Sequence, residues 1–377
     1  MVRCGGASLT AKLFAERQSV PAGPFRVGLA HGQRDGDEEP LELDGTVAVF
    51  EVPNLRRDIS PWHDARAYLQ LRRLIRQFQP DVVHTHSSKA GILGRAAAWA
   101  EKVPVIVHHV HGWSFHDHMA PAKRRLYVWL ERAMARRCHC LLMVAQSDVE
   151  IARRCHIGRP EQWRIVRSGI DLSEFRPCNG QERSEARRAL GVPEDAVVVG
   201  TVAQMRAQKA PGDFVQVARR VADQRPDAWF VWVGDGPLRA ELEAAILAAG
   251  LKERFVLTGS RDDVRELCAA FDVFLLTSLW EGLPRTVVEA SVTGVPVVAT
   301  AVPGTAEAIR HGETGLLAAP GDISGLADCV LSMLTDAGLR ERVRNNAARL
   351  REEFSVDKAV CDLEQIYTDL LTHRARA

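Results

Sequence analysis

Short apolar runs alternate with segments of helical period along almost the whole chain. Residues 26–32 (RVGLAHG), 46–53 (TVAVFEVP), 81–87 (DVVHTHS), 104–112 (PVIVHHVHG), 140–147 (CLLMVAQS) and 163–169 (WRIVRSG) have the length and β-branched content of strands. Residues 62–78, 89–100, 121–137 and 146–155 read as helices. Strands separated by helix-length segments cannot pair as hairpins. They need crossover connections, so the pattern predicts βαβ units and a parallel sheet. A polar stretch, FRPCNGQERSE at 175–185, reads as a linker, and the alternation then restarts at 196–204, 228–236, 254–260, 272–278, 295–301 and 315–320. The simplest architecture is α/β with two successive doubly wound, Rossmann-like domains, at 1–177 and 178–355, followed by a last helix within 356–377. Ligands of such sheets sit at strand C-termini.

The beginning breaks the pattern. CGGAS at 4–8 looks like a glycine turn opening a helix, but only MVR precedes it. Such a turn normally follows a central first strand, so that strand is expected to be missing from this chain.

A chain of 377 residues is long enough for two cores. Its formal net charge of +1 does not point to nucleic acid. The halves differ: 26 Lys+Arg against 19 Asp+Glu through residue 177 gives +7, and 23 against 29 in the remainder gives −6. That asymmetry suits an anionic partner for the first half. Eight cysteines form no CxxC pair, and Cys138-His139-Cys140 lacks a second ligand pair, so reduced thiols and a cytoplasmic location are expected. No apolar run approaches the ~18 residues of a membrane span.

The stretch SLWEGLPRTVVEA at 278–290 carries the most chemistry. A strand, a turn with Gly282 and Pro284, and a helix starting near Pro284 form one unit. Proline suits a first helical turn, and the free N–H groups there can receive a phosphate. Glu281 precedes the turn and Glu289 lies on the helix; a carboxylate accepting two hydroxyls is a common way to hold a ribose. In VIVHHVHGWSFHD (106–118), His109 and His111 alternate on one strand face. They could be metal ligands, structural histidines or ligand contacts, and no carboxylate partner is evident for a metal. AKRRLYVWLERAMARR at 122–137 puts Leu126, Trp129, Leu130, Ala133 and Met134 at helical spacing among basic residues. Such a helix packs on its sheet or lies on an anionic membrane.

SLWEGLPRTVVEA is followed in order by GVPVVAT, PGTAEAI, HGETGLL and PGD, and preceded by DVVHTHSSKAGILGR and VHGWSF. In that combination the chain, from CGGAS to about residue 355, resembles the family 4 retaining nucleotide-sugar glycosyltransferases of the GT-B fold (group 1 glycosyltransferases), with two facing Rossmann-like domains. The resemblance implies transfer of a sugar from a nucleotide diphosphate sugar, commonly UDP-linked, to an acceptor hydroxyl. The acceptor would be a saccharide, a lipid-linked saccharide or a small molecule in polysaccharide or glycoconjugate biosynthesis. It implies no metal and no cofactor, with possible peripheral membrane contact, and a last helix crossing back to the first domain. Glu289 would hold the ribose and Glu281 the donor sugar. The turn of Gly282, Leu283, Pro284, Arg285 and Thr286 would line the diphosphate.

Lys209, in TVAQMRAQKAP (201–211), matches a family lysine beside the leaving diphosphate. Gln204 stands where an arginine is usual, and Arg206 is its candidate substitute. His111 would meet the sugar across the cleft. Gly6 joins the donor contacts, and Arg261, in GSRDDV, is a candidate beside the base. His116, Asp117, Ser87, Ser88 and Lys89 are candidates for the acceptor. A nucleotide-sugar epimerase of the same fold and a degraded nucleotide-sugar-binding protein are the alternatives. A dinucleotide oxidoreductase is disfavoured, because neither CGGAS nor VGDGP completes G-x-G-x-x-G.

Overall fold

The computed structural model describes residues 6–19, 23–32, 43, 46–56, 58–116, 119–173 and 175–375. The chain divides into two compact units, Met1–Ile170 with Phe354–Ala377, and Asp171–Glu353.

In the first unit α1 (Gly6–Gln18) precedes a two-stranded parallel sheet of β1 (Gly28–Gly32) and β2 (Ala48–Val52). A four-stranded parallel sheet follows, in the order β3 (Val82–His86), β4 (Val105–Val110), β5 (Cys140–Met143), β6 (Trp163–Ile165). Helices α2 (Pro61–Phe78), α3 (Ser88–Ala100), α4 (Pro121–Ala135) and α5 (Gln146–Arg154) make the crossovers. Among the described residues, β1 pairs with β2 and β3 with β4, and nothing joins the two sheets. Cys4 and Gly5 of the glycine turn lie outside the described residues; Gly6 is the first residue of α1.

Every residue of β4 is buried, as expected for a parallel strand covered on both faces. On one face Val105 and Val107, with Cys140 and Leu142 of β5, pack against Phe14 of α1 and against Val356, Leu363 and Tyr367 of α15 (Val356–Ala375). On the other, Ile106, Leu141 and Met143 pack against Val128 of α4 and Ala152 of α5. A fully buried Arg95–Glu131 ion pair, 2.8 Å, ties α3 to α4.

The second unit begins with α6 (Gly180–Leu190). Six parallel strands follow: β7 (Val197–Val202), β8 (Ala228–Val233), β9 (Phe255–Gly259), β10 (Val273–Leu276), β11 (Val297–Thr300) and β12 (Leu316–Ala318). Their order is β12-β11-β10-β7-β8-β9. Helices α7 (Pro211–Gln224), α8 (Arg239–Ala248), α9 (Val264–Cys268), α10 (Arg285–Val292), α11 (Pro303–Ala308) and α12 (Ile323–Thr335) connect and cover them; α13 (Ala337–Ala347) and α14 (Leu350–Glu353) close the unit. The chain winds outward from β7 to β9, returns beside β7 as β10, and winds outward again. That reversal is the topological switch point, where such sheets bind ligands. Phe214, Val217 and Val221 of α7 meet Phe230 and Trp232 of β8 and Val330 of α12 in the core. The buried Trp232 indole donates to the Ala203 carbonyl at 2.8 Å, so its polar atom is satisfied.

One expectation needs correction. Half of the 175–185 linker is helix: the Asn179 side chain accepts from the Glu182 N–H (3.0 Å), and the Glu182 carboxylate accepts from the Asn179 N–H (2.9 Å). This is a capping box, written in the sequence as N-x-x-E. The chain passes from one unit to the other at 170/171 and 353/354. The Ile170 N–H donates to the Phe354 carbonyl (2.8 Å) and the Val356 N–H to the Ile170 carbonyl (3.0 Å), which stitches the returning segment onto the first unit.

Candidate active site

Two loops leave the switch point of the second unit, one after β7 and one after β10. Their backbones are sewn together. The Leu279 N–H donates to the Gln208 carbonyl at 2.8 Å. The Thr277 hydroxyl donates to the Lys209 carbonyl at 2.9 Å, and the Gln208 amide to the Trp280 carbonyl at 2.8 Å. On this frame Lys209 Nζ lies 2.5 Å from Glu281 Oε1, and the Ser278 hydroxyl donates to the same oxygen at 2.6 Å. The pair is largely shielded, with side chains 19% and 7% exposed. A half-buried ammonium is thus fixed beside the strand ends, able to meet a further anion. Arg206 is also half-buried; its carbonyl accepts from the Lys209 N–H at 2.9 Å and shapes the turn before α7, while Gln204 is exposed.

The turn from Glu281 to Pro284 leads into α10. Pro284 is the residue before the helix and not part of its first turn, because its ψ of 98° is extended. The N-cap residue Pro284 makes no side-chain cap bond to the first turn of α10. Gly304 of α11 lies under the turn: a Cβ there would stand 2.0 Å from the Gly282 carbonyl oxygen and 2.7 Å from that of Glu281. Gly304→Ala is expected to displace the turn and weaken nucleotide binding, read as a smaller nucleotide-induced rise in melting temperature.

Glu289 lies one turn along α10 from Arg285, with Nε–Oε1 at 3.6 Å. It lines a narrow recess with Val202, Val264, Cys268, Thr286 and Phe175. Burial pushes its carboxyl above the usual carboxylate value, and Arg285 only partly opposes that. Arg261 makes a two-pronged pair with Asp263, at 2.7 and 2.6 Å, which holds the Asp263 carboxyl below its usual value. The Arg261 guanidinium is therefore committed within its own turn.

In the first unit His111 follows β4, and its Nε2 lies 2.9 Å from Nδ1 of His86, the last residue of β3. Lys89 pairs with Asp64 and donates to the Asp58 carbonyl. His116 is half-buried, and Asp117 lies outside the described residues. Gln208, Ser278 and His86 were not singled out from the sequence. Their only trace there is adjacency, Gln208 to Lys209, Ser278 three before Glu281, and His86 in an alternating H-T-H.

Comparison with known proteins agrees with this geometry. Residues 182–350 match the family described as "Glycosyl transferases group 1", and residues 11–169 the "Glycosyl transferase 4-like domain". An Escherichia coli UDP-Gal:alpha-D-GlcNAc-diphosphoundecaprenol alpha-1,3-galactosyltransferase is 32% identical over 88% of this chain and 86% of its own. A D-inositol 3-phosphate glycosyltransferase of Actinosynnema mirum is 30% identical over 92% and 81%. The structure of Anabaena HepE in complex with UDP-glucose is 22% identical and covers 98% of this chain and 97% of its own with a TM-score of 0.79, which shows the fold. With a doubly wound unit under each matched domain, the chain belongs to the group 1 glycosyltransferases, sugar-transferring enzymes of the GT-B fold.

Proposed function

We propose that this chain moves a sugar from a UDP-linked donor to a hydroxyl of a saccharide or lipid-linked acceptor, with retained anomeric configuration and without a metal. The observation that carries this reading is the convergence of Lys209, Glu281 and the start of α10 at the switch point of the second unit. Glu289 holds the ribose diol. Lys209 and the N–H groups of Gly282, Leu283, Arg285 and Thr286 take the diphosphate, with Arg206 as a second cation. Glu281, beside Lys209, accepts from donor-sugar hydroxyls; for His111 and Gly6, in the first unit, a donor contact rests on the family resemblance alone. Arg261 would reach the base only by releasing Asp263. The protein's task is to stabilise charge on the leaving diphosphate and to position the reactants. The departing phosphate, on the face it leaves, takes the acceptor's proton. The E. coli relative is named for a UDP-galactose donor and a diphosphoundecaprenol-linked acceptor, which supports the choice of both classes.

A thermal shift tests the nucleotide. UDP at 100 times its dissociation constant should add about 2.7 kcal/mol of stability, equally with EDTA, and more than GDP, ADP or dTDP. A flat response to UDP rejects the donor, and transfer that needs added Mg2+ or Mn2+ rejects the metal-free reaction.

No helix among the described residues is long and apolar enough to cross a membrane. The α4 helix nevertheless suits a membrane surface. Val128 and Met134 turn inward, while Leu126 and Trp129 stay 52% and 62% exposed beside the exposed Lys123 and Arg125. An apolar pair flanked by cations fits an anionic bilayer. Wild-type protein should co-sediment with vesicles containing anionic lipid, and the Arg124→Glu/Arg125→Glu variant should not. Equal sedimentation of both, or of neither, refutes the contact.

A further inference from the structure

The sheet face of the first unit that packs on α1 and α15 is aliphatic over Val82, Val105, Val107 and Leu142. Towards the strand ends it turns into imidazole. His84 and His86 of β3 lie on that face beside His109 of β4, and His86 and His109 are cross-strand partners. One nitrogen from each of the three rings lies within 4.8 Å of the others.

Each ring has one nitrogen held by a partner. His109 Nε2 lies 3.1 Å from the Val166 carbonyl, which can only accept. That fixes the proton on Nε2 and leaves Nδ1 with its lone pair, buried and with no hydrogen-bond partner. His84 Nδ1 lies 2.5 Å from the Tyr367 hydroxyl of α15, and its Nε2 is likewise buried and unpartnered. His86 Nδ1 is engaged by His111. Two buried, unpartnered nitrogens in one small cluster are costly unless something fills it. The arrangement, one nitrogen on a protein group and the other turned into a shared space, is how metal-ligating histidines are oriented.

We propose that His84 Nε2, His86 Nε2 and His109 Nδ1 form a binding site for a divalent transition-metal ion, zinc, cobalt or nickel, with a fourth position left to water. Three imidazoles and no carboxylate select such ions over Mg2+ or Ca2+. Metal–nitrogen bonds of about 2.0–2.1 Å bring tetrahedral ligand atoms to roughly 3.3 Å. The rings must therefore close on the ion, by rotation about their soft terminal torsions. The ion takes no part in sugar transfer. It ties α15, through Tyr367, to the strand ends and fixes His86 as the hydrogen-bond donor to His111.

The test is binding, independent of transfer. Protein stripped with EDTA and dialysed is titrated with Co2+, followed by the visible bands of tetrahedral cobalt, and then with Zn2+ in competition. One ion per chain is expected, with Mg2+ silent. The His84→Phe variant, folded by near-UV circular dichroism, should bind Co2+ at least tenfold more weakly, and His373→Ala, at an exposed histidine of α15, should bind as wild type. X-ray absorption on the zinc-loaded wild type should show three imidazole nitrogens, and it decides the matter if His84→Phe does not fold. No stoichiometric binding, binding indifferent to His84→Phe, or fewer than three imidazoles would overturn the site.

Discussion

Replacing Lys209 with alanine is expected to lower kcat by about 10²–10³-fold, the usual cost of removing one preorganised charge from a developing anion. The donor KM should change far less, because the full charge on the leaving diphosphate appears only as the glycosidic bond breaks. The substitution also has a structural cost. Glu281, 7% exposed, would keep the Ser278 hydroxyl and the Gln208 amide but lose its cation. A shielded carboxylate left short of a partner costs about 1–3 kcal/mol, so melting temperature should fall as well. The two effects separate in the double variant Lys209→Ala/Glu281→Gln. Removing the orphaned charge should restore stability, and turnover should stay low. Wild-type kcat in Lys209→Ala would remove Lys209 from the mechanism. Recovery of kcat together with stability in the double variant would make its role structural.

The fold was largely legible because its signal is local. A parallel strand covered on both faces is a short apolar run, as AWFVWV at 228–233 shows, and helix-length spacers leave no alternative to crossovers. Helix ends were less legible. Asn179 and Glu182 announce a helix only if their spacing is weighed above the polarity of the stretch, and Pro284 suits a first turn and an N-cap position equally. At the site, residue types were legible and pairings were not. Lys209 and Glu281 are 72 positions apart, and only the strand order that sets β7 beside β10 brings them together. The same holds for His84 and His86, which the sequence sets more than twenty residues from His109 and the sheet sets beside it.

Glu289→Gln should weaken UDP binding by roughly 1.5–3 kcal/mol, a charged hydrogen bond's worth, or about 10- to 150-fold in Kd, without destabilising the free protein. The two signs follow from one fact. Burial raises the Glu289 carboxyl above its ordinary value despite Arg285, so the folded state disfavours its charge. A carboxyl raised on folding binds protons better in the native state than in the unfolded one. Its contribution therefore favours folding below the unfolded value and turns against it as pH rises through the folded value. At neutral pH the wild-type chain carries that burden, and a neutral amide of the same shape removes it. The melting temperature of Glu289→Gln at pH 7 should equal or exceed that of wild type, and the difference should shrink as the pH falls towards the carboxylate range. Ribose hydroxyls bound there would reverse the balance: two donors aimed at one carboxylate favour its charged form and use what burial has made costly. A site that is strained when empty and relaxed when filled is thus the physical signature expected of a ribose-binding glutamate. An exposed surface glutamate would lose neither affinity nor strain. Unchanged UDP affinity in Glu289→Gln would therefore remove this residue from the donor site whatever its melting temperature does.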